Sequence, residues 1–97
     1  MQGRMHRYEG YEPQEIAFPV RVARLLGAHS LVVTNAAGIL NTDFKIGEVM
    51  LLSDYLNFSQ ASPLVGPNIP EFGVRFPDVG EVFDAKYRAL AKDAARE

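Results

Sequence analysis

Two short apolar segments constrain the fold of this chain more than any other feature of its 97 residues. The first, LVVTN (residues 31–35), is rich in β-branched side chains, as is typical of a buried strand. The second, EVMLLSDYLNF (residues 48–58), has too few polar positions for an exposed strand, so we interpret most of it as buried on both faces. Such strands need paired edges and covered faces. Together with the helices around them, they predict an α/β fold.

A helix is predicted within residues 12–30, EPQEIAFPVRVARLLGAHS, after a short turn or helix start. Pro19 is expected near the beginning of this helix, where its missing N–H costs little. Gly27 is expected to end it. The residues with the spacing of a buried stripe are Phe18, Val22, Leu25 and Leu26. Arg21 and Arg24 fall off that stripe.

The second half of the chain contains an irregular stretch and then another helix. Residues 59–78 hold four prolines and two glycines, so no regular element is expected to run through them. Their apolar side chains, including Leu64, Phe72 and Phe76, argue against a free linker. Residues 81–97, EVFDAKYRALAKDAARE, predict a helix with one apolar face. We expect a single domain spanning residues 1–97.

Composition excludes several classes of protein. A net charge of −2 gives no electrostatic case for binding nucleic acid or an anionic membrane. No apolar run approaches the roughly 20 residues needed to cross a bilayer, and the first ten residues contain no hydrophobic signal region. There is no cysteine, and two histidines, His6 and His29, are too few and too far apart for an evident metal site. A soluble, cytoplasmic protein without a metal is expected.

The stretch GRMHRYEGY, residues 3–11, concentrates hydrogen-bonding side chains. If it is extended, Arg4, His6 and Tyr8 project from one face and could bind an anion that carries hydroxyl groups. Glu9 would start on the other face, although Gly10 could let the chain turn there. The alternative is a polar strand that faces solvent.

NAAG, residues 35–38, follows the first apolar segment. Small side chains at the end of a strand let a ligand approach the backbone, and exposed N–H groups there can hold an anion. Alanine and glycine also mark tight packing, so this motif alone leaves both interpretations open.

Taken in order, the motifs GRMHRYEGY, FPVRVARLLG, LVVTNAAG, LNTDFKIGEVMLLSDYLN, PLVGPN and FGVRFPD resemble purine nucleoside phosphorylase of the trimeric type. The resemblance runs over nearly the whole chain and corresponds to a central segment of the longer family domain. It implies cleavage of purine (deoxy)ribonucleosides by inorganic phosphate, the co-substrate, to free base and pentose 1-phosphate, with no cofactor. The implied fold is α/β, a partial nucleoside-phosphorylase-like fold with a mixed sheet and flanking helices.

The resemblance also implies roles for residues that match the family motifs. Arg4 and His6 would bind phosphate, together with the backbone N–H of Ala36. An arginine suits this role because its fork of donors matches phosphate oxygens. Glu9 would be the acid beside His6 and phosphate, orienting the ring or sharing a proton. In this interpretation His6 and Glu9 are the catalytic pair.

Ribose contacts follow from the same resemblance. Tyr8 would contact the ribose hydroxyls, and Phe76 would close the sugar pocket of a neighbouring subunit. A homo-oligomer, a trimer by resemblance, is therefore expected. The implied mechanism needs no covalent enzyme intermediate, because positioning and electrostatics supply the rate.

The chain departs from the family pattern at three positions. Ile39 stands where the family usually has glycine. The isoleucine would be strained if the position requires a positive φ. Tyr55 stands in place of a usual histidine, and Val65 in place of a usual arginine. The residues that read the purine are absent from the motifs present, so the preferred base is not indicated.

Three hypotheses follow from this pattern. The chain is a segment of an enzyme family with little activity alone, from a truncated frame or an engineered fragment. Alternatively, it is a working phosphorylase, completed by further sequence or by an oligomer. In the third hypothesis it is a non-enzymatic module that binds phosphate or ribose phosphate.

Overall fold

The computed structural model describes residues 1–96 and contains only helical regular structure there. Its elements are α1 (Pro13–Leu25), α2 (Ala85–Ala94) and two single-turn 3-10 helices, Arg7–Glu9 and Pro70–Phe72. None of the helices in this part of the chain is long and apolar enough to cross a membrane.

The chain divides into two units. The first combines Met1–Val32 with Asn57–Pro77, so that it contains α1 and both 3-10 helices. The second combines Val33–Leu56 with the segment that begins at Asp78 and contains α2. Within the second unit, the rings of Tyr55 and Phe83 meet edge to face, and their centroids are 6.2 Å apart.

Helix α1 is confirmed, but it begins six residues before the proline expected to start it. Pro13 occupies the first turn, where its missing N–H is not needed. The backbone N–H of Glu12 donates to Oε2 of Glu15 at 2.8 Å, which satisfies the chain just before the helix. Pro19 therefore lies inside the helix, where it cannot donate the usual hydrogen bond to the carbonyl four residues earlier.

The end of α1 is stopped by Gly27, as the sequence predicts. Gly27 has a φ of +96°, a conformation that favours glycine. Its N–H donates to the Arg24 carbonyl at 3.1 Å, and the N–H of Ala28 donates to the Ala23 carbonyl at 3.0 Å. This pair of bonds is the Schellman motif, which satisfies carbonyls that a helix end leaves free.

Helix α2 lies within the predicted range of residues 81–97 but begins only at Ala85, because Asp84 caps it. The Oδ1 atom of Asp84 accepts from the N–H of Lys86 at 2.8 Å and from that of Tyr87 at 3.1 Å. Residue 97, the end of the predicted range, lies outside the described residues.

The predicted mixed sheet is wrong: residues 1–96 contain no β-strand. Both segments expected to be buried strands are irregular, and Val32 and Val49 are 87% and 98% exposed. A strand is stable only when a neighbour pairs its N–H and C=O groups and another layer covers its apolar side chains. Within the described residues, neither segment has such a neighbour, so the apolar pattern does not produce a strand.

No side chain among the described residues is buried, so the predicted apolar stripe of α1 is not part of a core. Phe18, for example, is largely exposed. The prediction for residues 59–78 is confirmed, since their regular structure is limited to the single turn Pro70–Phe72. Order in the described residues therefore comes from hydrogen bonds, both local and between distant residues, rather than from a packed interior.

We predict that Asp84→Ala lowers the helix content of α2, because two backbone N–H groups lose their acceptor. Loss of such a cap costs about 1 kcal/mol of helix stability. Far-UV circular dichroism and amide exchange of residues 86–90 measure the change. Asp78→Ala, which removes an acceptor outside the helix, is the matched control. Equal exchange in both variants would contradict the prediction.

Candidate functional site

The N-terminal motif forms a turn rather than a continuous extended segment. His6 is extended and precedes the single turn Arg7–Glu9. The Glu9 side chain folds back, and its Oε2 accepts from the His6 backbone N–H at 2.7 Å. The Glu9 N–H donates to the His6 carbonyl at 3.1 Å. Gly10 then reverses the chain with a φ of +98°, as its expected role in a turn requires.

This turn brings two of the predicted site residues into contact. The rings of His6 and Tyr8 are stacked, with centroids 4.9 Å apart and planes inclined by 11°. Tyr8 is 85% exposed, so the face of its ring away from His6 is open to solvent. The result is a flat aromatic surface with an imidazole and a phenol hydroxyl at its edges, both able to hydrogen-bond.

Arg4 lies just before this aromatic pair and is exposed. Within residues 1–96 its guanidinium forms no hydrogen bond, ion pair or ring contact. The structure therefore brings together His6, Tyr8 and Glu9. Arg4 is near these residues in sequence but makes none of these contacts with them. The contact of Glu9 is with the backbone of His6 and not with its ring.

Phe76 lies in the same unit as the motif and is 86% exposed. The Arg75 guanidinium lies 5.6 Å from the centroid of its ring, which is within the range of a cation–π contact. Arg75 also donates from Nη1 to the Leu64 carbonyl at 2.8 Å. An aromatic ring on an irregular segment is thus held from one side by its neighbour.

Ala36 belongs to the second unit, which is described by itself. It is exposed, and its carbonyl accepts from Nδ2 of Asn35 at 3.3 Å. The departure at Ile39 does not strain the backbone here: among the described residues, Gln60 is the one position other than glycine with a positive φ.

Two residues that organise the first unit, Arg21 and Gln14, were missed by the reasoning from sequence. Arg21 donates from Nη2 to the Pro63 carbonyl at 3.1 Å and lies 5.8 Å above the centroid of Phe72. Gln14 donates from Nε2 to the Val65 carbonyl at 3.0 Å. Because Arg21 falls off the apolar stripe of α1, the pattern indicates a solvated residue. No local signal shows which distant carbonyl it meets.

Metal ligation finds no support in this part of the chain. Residues 1–96 bring together no group of three histidine or acidic side chains that could hold a metal ion. What the motif can offer a ligand is the exposed guanidinium of Arg4, the His6 imidazole and the Tyr8 hydroxyl. Those are groups suited to an anion and to hydroxyls.

Comparison with known proteins identifies similar chains. The family model for the Phosphorylase superfamily matches residues 1–97. Over 97 residues the chain is 47% identical to Purine nucleoside phosphorylase 1 of Bacillus subtilis and 50% identical to the protein of that name from Geobacillus stearothermophilus. Both alignments cover 100% of this chain, but 36% and 35% of those relatives.

A mammalian relative gives the same result. The chain is 53% identical over 94 residues to Purine nucleoside phosphorylase of Bos taurus. The alignment covers 94% of this chain and 32% of the relative. The chain thus spans about a third of the length of the curated relatives it matches. The resemblance drawn from the sequence motifs is confirmed.

We predict that Tyr8→Leu moves the ring-proton resonances of His6 downfield, because the stacked phenol ring shields them. Proton NMR of the imidazole signals measures the shift. His29, the other histidine, has no ring contact within the described residues and serves as the reference. Tyr11→Leu removes a nearby tyrosine that does not stack and is the matched control. Unchanged His6 signals in Tyr8→Leu would show that the stack is not formed.

Proposed function

Because the chain belongs to the Phosphorylase superfamily, we propose that it forms a purine nucleoside phosphorylase site that is shared between subunits of a homo-oligomer. The reaction is the phosphate-dependent cleavage of purine (deoxy)ribonucleosides to the free base and a pentose 1-phosphate. The observation that carries the proposal is the alignment of every residue of this chain with relatives of that name at 47% and 50% identity. We propose that the reaction takes place in the cytoplasm.

Phosphate binding is assigned to Arg4, His6 and the backbone N–H of Ala36. The exposed guanidinium of Arg4 supports this, since its donors face solvent rather than a carboxylate of the chain. His6 is held in place through its backbone by Glu9. We therefore assign Glu9 to fixing the position of His6 beside phosphate, through the main chain. An ordered donor loses less entropy when it binds an anion.

Ribose binding is assigned to Tyr8 and to Phe76. Stacking on His6 fixes the plane of the Tyr8 ring and leaves its hydroxyl free to hydrogen-bond a sugar hydroxyl. Because the same stack joins Tyr8 to His6, the groups for phosphate and ribose are adjacent. This is the arrangement that a reaction between phosphate and the anomeric carbon requires.

In the proposed reaction, the bond between the anomeric carbon and the purine nitrogen breaks first, and its electron pair leaves with the base. Positive charge develops on the ribose and is stabilised by the phosphate held beneath it. A phosphate oxygen then forms the new bond to the anomeric carbon. The base takes up a proton as it leaves, and hydrogen phosphate loses one as it becomes the ester, so that the exchange balances through solvent. Arg4 and His6 act by holding the nucleophile in line, without a covalent bond to the chain.

We infer that the chain forms a homo-oligomer, a trimer, in which Phe76 closes the sugar site of a neighbouring subunit. The exposure of the Phe76 ring supports this, because a ring that serves a second chain must be accessible. Its attachment to Arg75 presents the ring on an otherwise irregular segment.

We expect the purified chain to release base from inosine and guanosine only when phosphate is present. The double variant Arg4→Ala, His6→Ala is expected to lose this release by about 100-fold or more, because the nucleophile is no longer positioned. A coupled assay for free base measures the rate. His29→Ala and Arg96→Ala remove the same residue types away from the motif and are the controls. Release that is independent of phosphate, or no release from a folded chain, would contradict the proposal.

A mixing experiment tests the role of Phe76. Phe76→Ala and the Arg4→Ala, His6→Ala variant are each expected to be inactive alone. When they are mixed at equal amounts and allowed to reassemble, about a quarter of the sites regain both sets of side chains if each site takes Phe76 from a neighbour in a ring. Recovery of phosphorolysis on mixing is the expected result. No recovery, with exchange of subunits demonstrated by labelled chains, would place Phe76 in the site of its own chain.

A further inference from the structure

The segment that carries Phe76 is held to α1 in an unusual way. Three consecutive carbonyls, those of residues 63–65, each accept a hydrogen bond from a side chain. The pairs are Arg21 Nη2 with Pro63 at 3.1 Å, Arg75 Nη1 with Leu64 at 2.8 Å, and Gln14 Nε2 with Val65 at 3.0 Å. We call these three donors and three carbonyls the carbonyl clamp.

Two members of the carbonyl clamp lie on α1 at positions seven residues apart. Gln14 and Arg21 are therefore on the same face, two turns from one another. Arg21 is partly buried, and its guanidinium also covers the Phe72 ring. The helix thus fixes the irregular segment at two points of its backbone and at one aromatic side chain.

Close packing does not explain how the segment keeps its place. A cleft of about 320 Å³, open to solvent, is lined by Arg21, Leu64, Phe72 and Arg75, among others. Because none of the described side chains is buried, the hydrogen bonds of the carbonyl clamp, rather than close apolar packing, set the position of the segment.

The third donor connects the carbonyl clamp to the ring. Arg75 holds the Leu64 carbonyl and lies over Phe76, its neighbour in sequence. A continuous set of contacts therefore runs from α1 through residues 63–65 to Arg75 and Phe76. The N-terminal end of α1 follows the turn that carries His6, Tyr8 and Glu9, with three residues between Glu9 and Pro13.

We propose that Gln14 and Arg21 are positioning residues that fix Phe76 through the carbonyl clamp. They also tie this ring to the helix that follows the phosphate-binding motif. The assignment of Phe76 to ribose rests on the proposed function. The carbonyl clamp itself does not, and the two are tested by different measurements.

The first test measures order and needs no activity. Arg21→Ala is expected to raise amide exchange in residues 64–76 by about tenfold, since a charge-assisted bond to the backbone is lost. Exchange within α1 is expected to stay unchanged. In the same variant, the Phe76 ring signals in NMR are expected to move toward those of an unfolded peptide. Gln14→Ala is expected to have a smaller effect in the same direction.

Matched variants separate the carbonyl clamp from the helix. Arg24→Ala removes an arginine of the same helix that bonds only to Ala28, near the end of α1, and is expected to leave residues 64–76 unchanged. Arg21→Lys keeps one donor and is expected to restore part of the protection. Unchanged exchange in residues 64–76 and unchanged Phe76 signals in the Gln14→Ala, Arg21→Ala double variant would overturn the proposal.

The second test uses phosphorolysis. Arg21→Ala is expected to raise KM for the nucleoside by about tenfold and to leave KM for phosphate unchanged, because the ribose-closing ring is displaced and the motif is not. An equal rise in both KM values would assign Arg21 to general stability instead. If the unaltered chain shows no phosphorolysis, the proposed function fails for it, and amide exchange and the Phe76 signals still decide whether the carbonyl clamp positions the ring.

Discussion

Hydrogen bonds from side chains to the backbone are the interaction on which this structure depends. The described residues contain no sheet, so backbone groups outside the helices have no ladder partners and pair with side chains, with other turns or with solvent. The same device recurs along the chain: a glutamate accepts from the N–H of the residue three positions before it. The glutamates are Glu9, Glu15 and Glu48. In the proline-rich segment, where proline supplies no N–H, side chains also donate to backbone carbonyls, as they do in the carbonyl clamp.

Local elements could be predicted from the sequence, and elements that depend on distant partners could not. Gly27 ends α1 because its positive φ and two adjacent hydrogen bonds are properties of a few neighbouring residues. The beginning of α1 was placed too late because Pro19 is tolerated inside the helix. Residues 31–35 have the composition of a strand, but composition cannot supply the neighbour that a strand needs. The sheet was therefore the part of the prediction that failed.

The candidate site shows the same division. Motif resemblance selected His6, Tyr8 and Glu9, and the structure brings these three together. The geometry differs from the alternating face expected of an extended segment. His6 and Tyr8 meet because a turn, closed by Glu9, brings their rings into a stack. Arg21 could not be found in this way, because its partner, the Pro63 carbonyl, lies 42 residues further along the chain.

A site organised by hydrogen bonds at the surface differs in its energetics from one set in a packed core. Each such bond contributes only about 0.5 to 1.5 kcal/mol, so the segment that carries Phe76 samples displaced positions more often than a buried strand would. For a ligand that requires the ordered position, the apparent association constant is reduced in proportion to the fraction of chains in that position. Helix α1 reduces this loss because one rigid element bears Gln14 and Arg21 and directly follows the motif. Any ligand or neighbouring subunit that orders one end of this arrangement therefore favours order at the other.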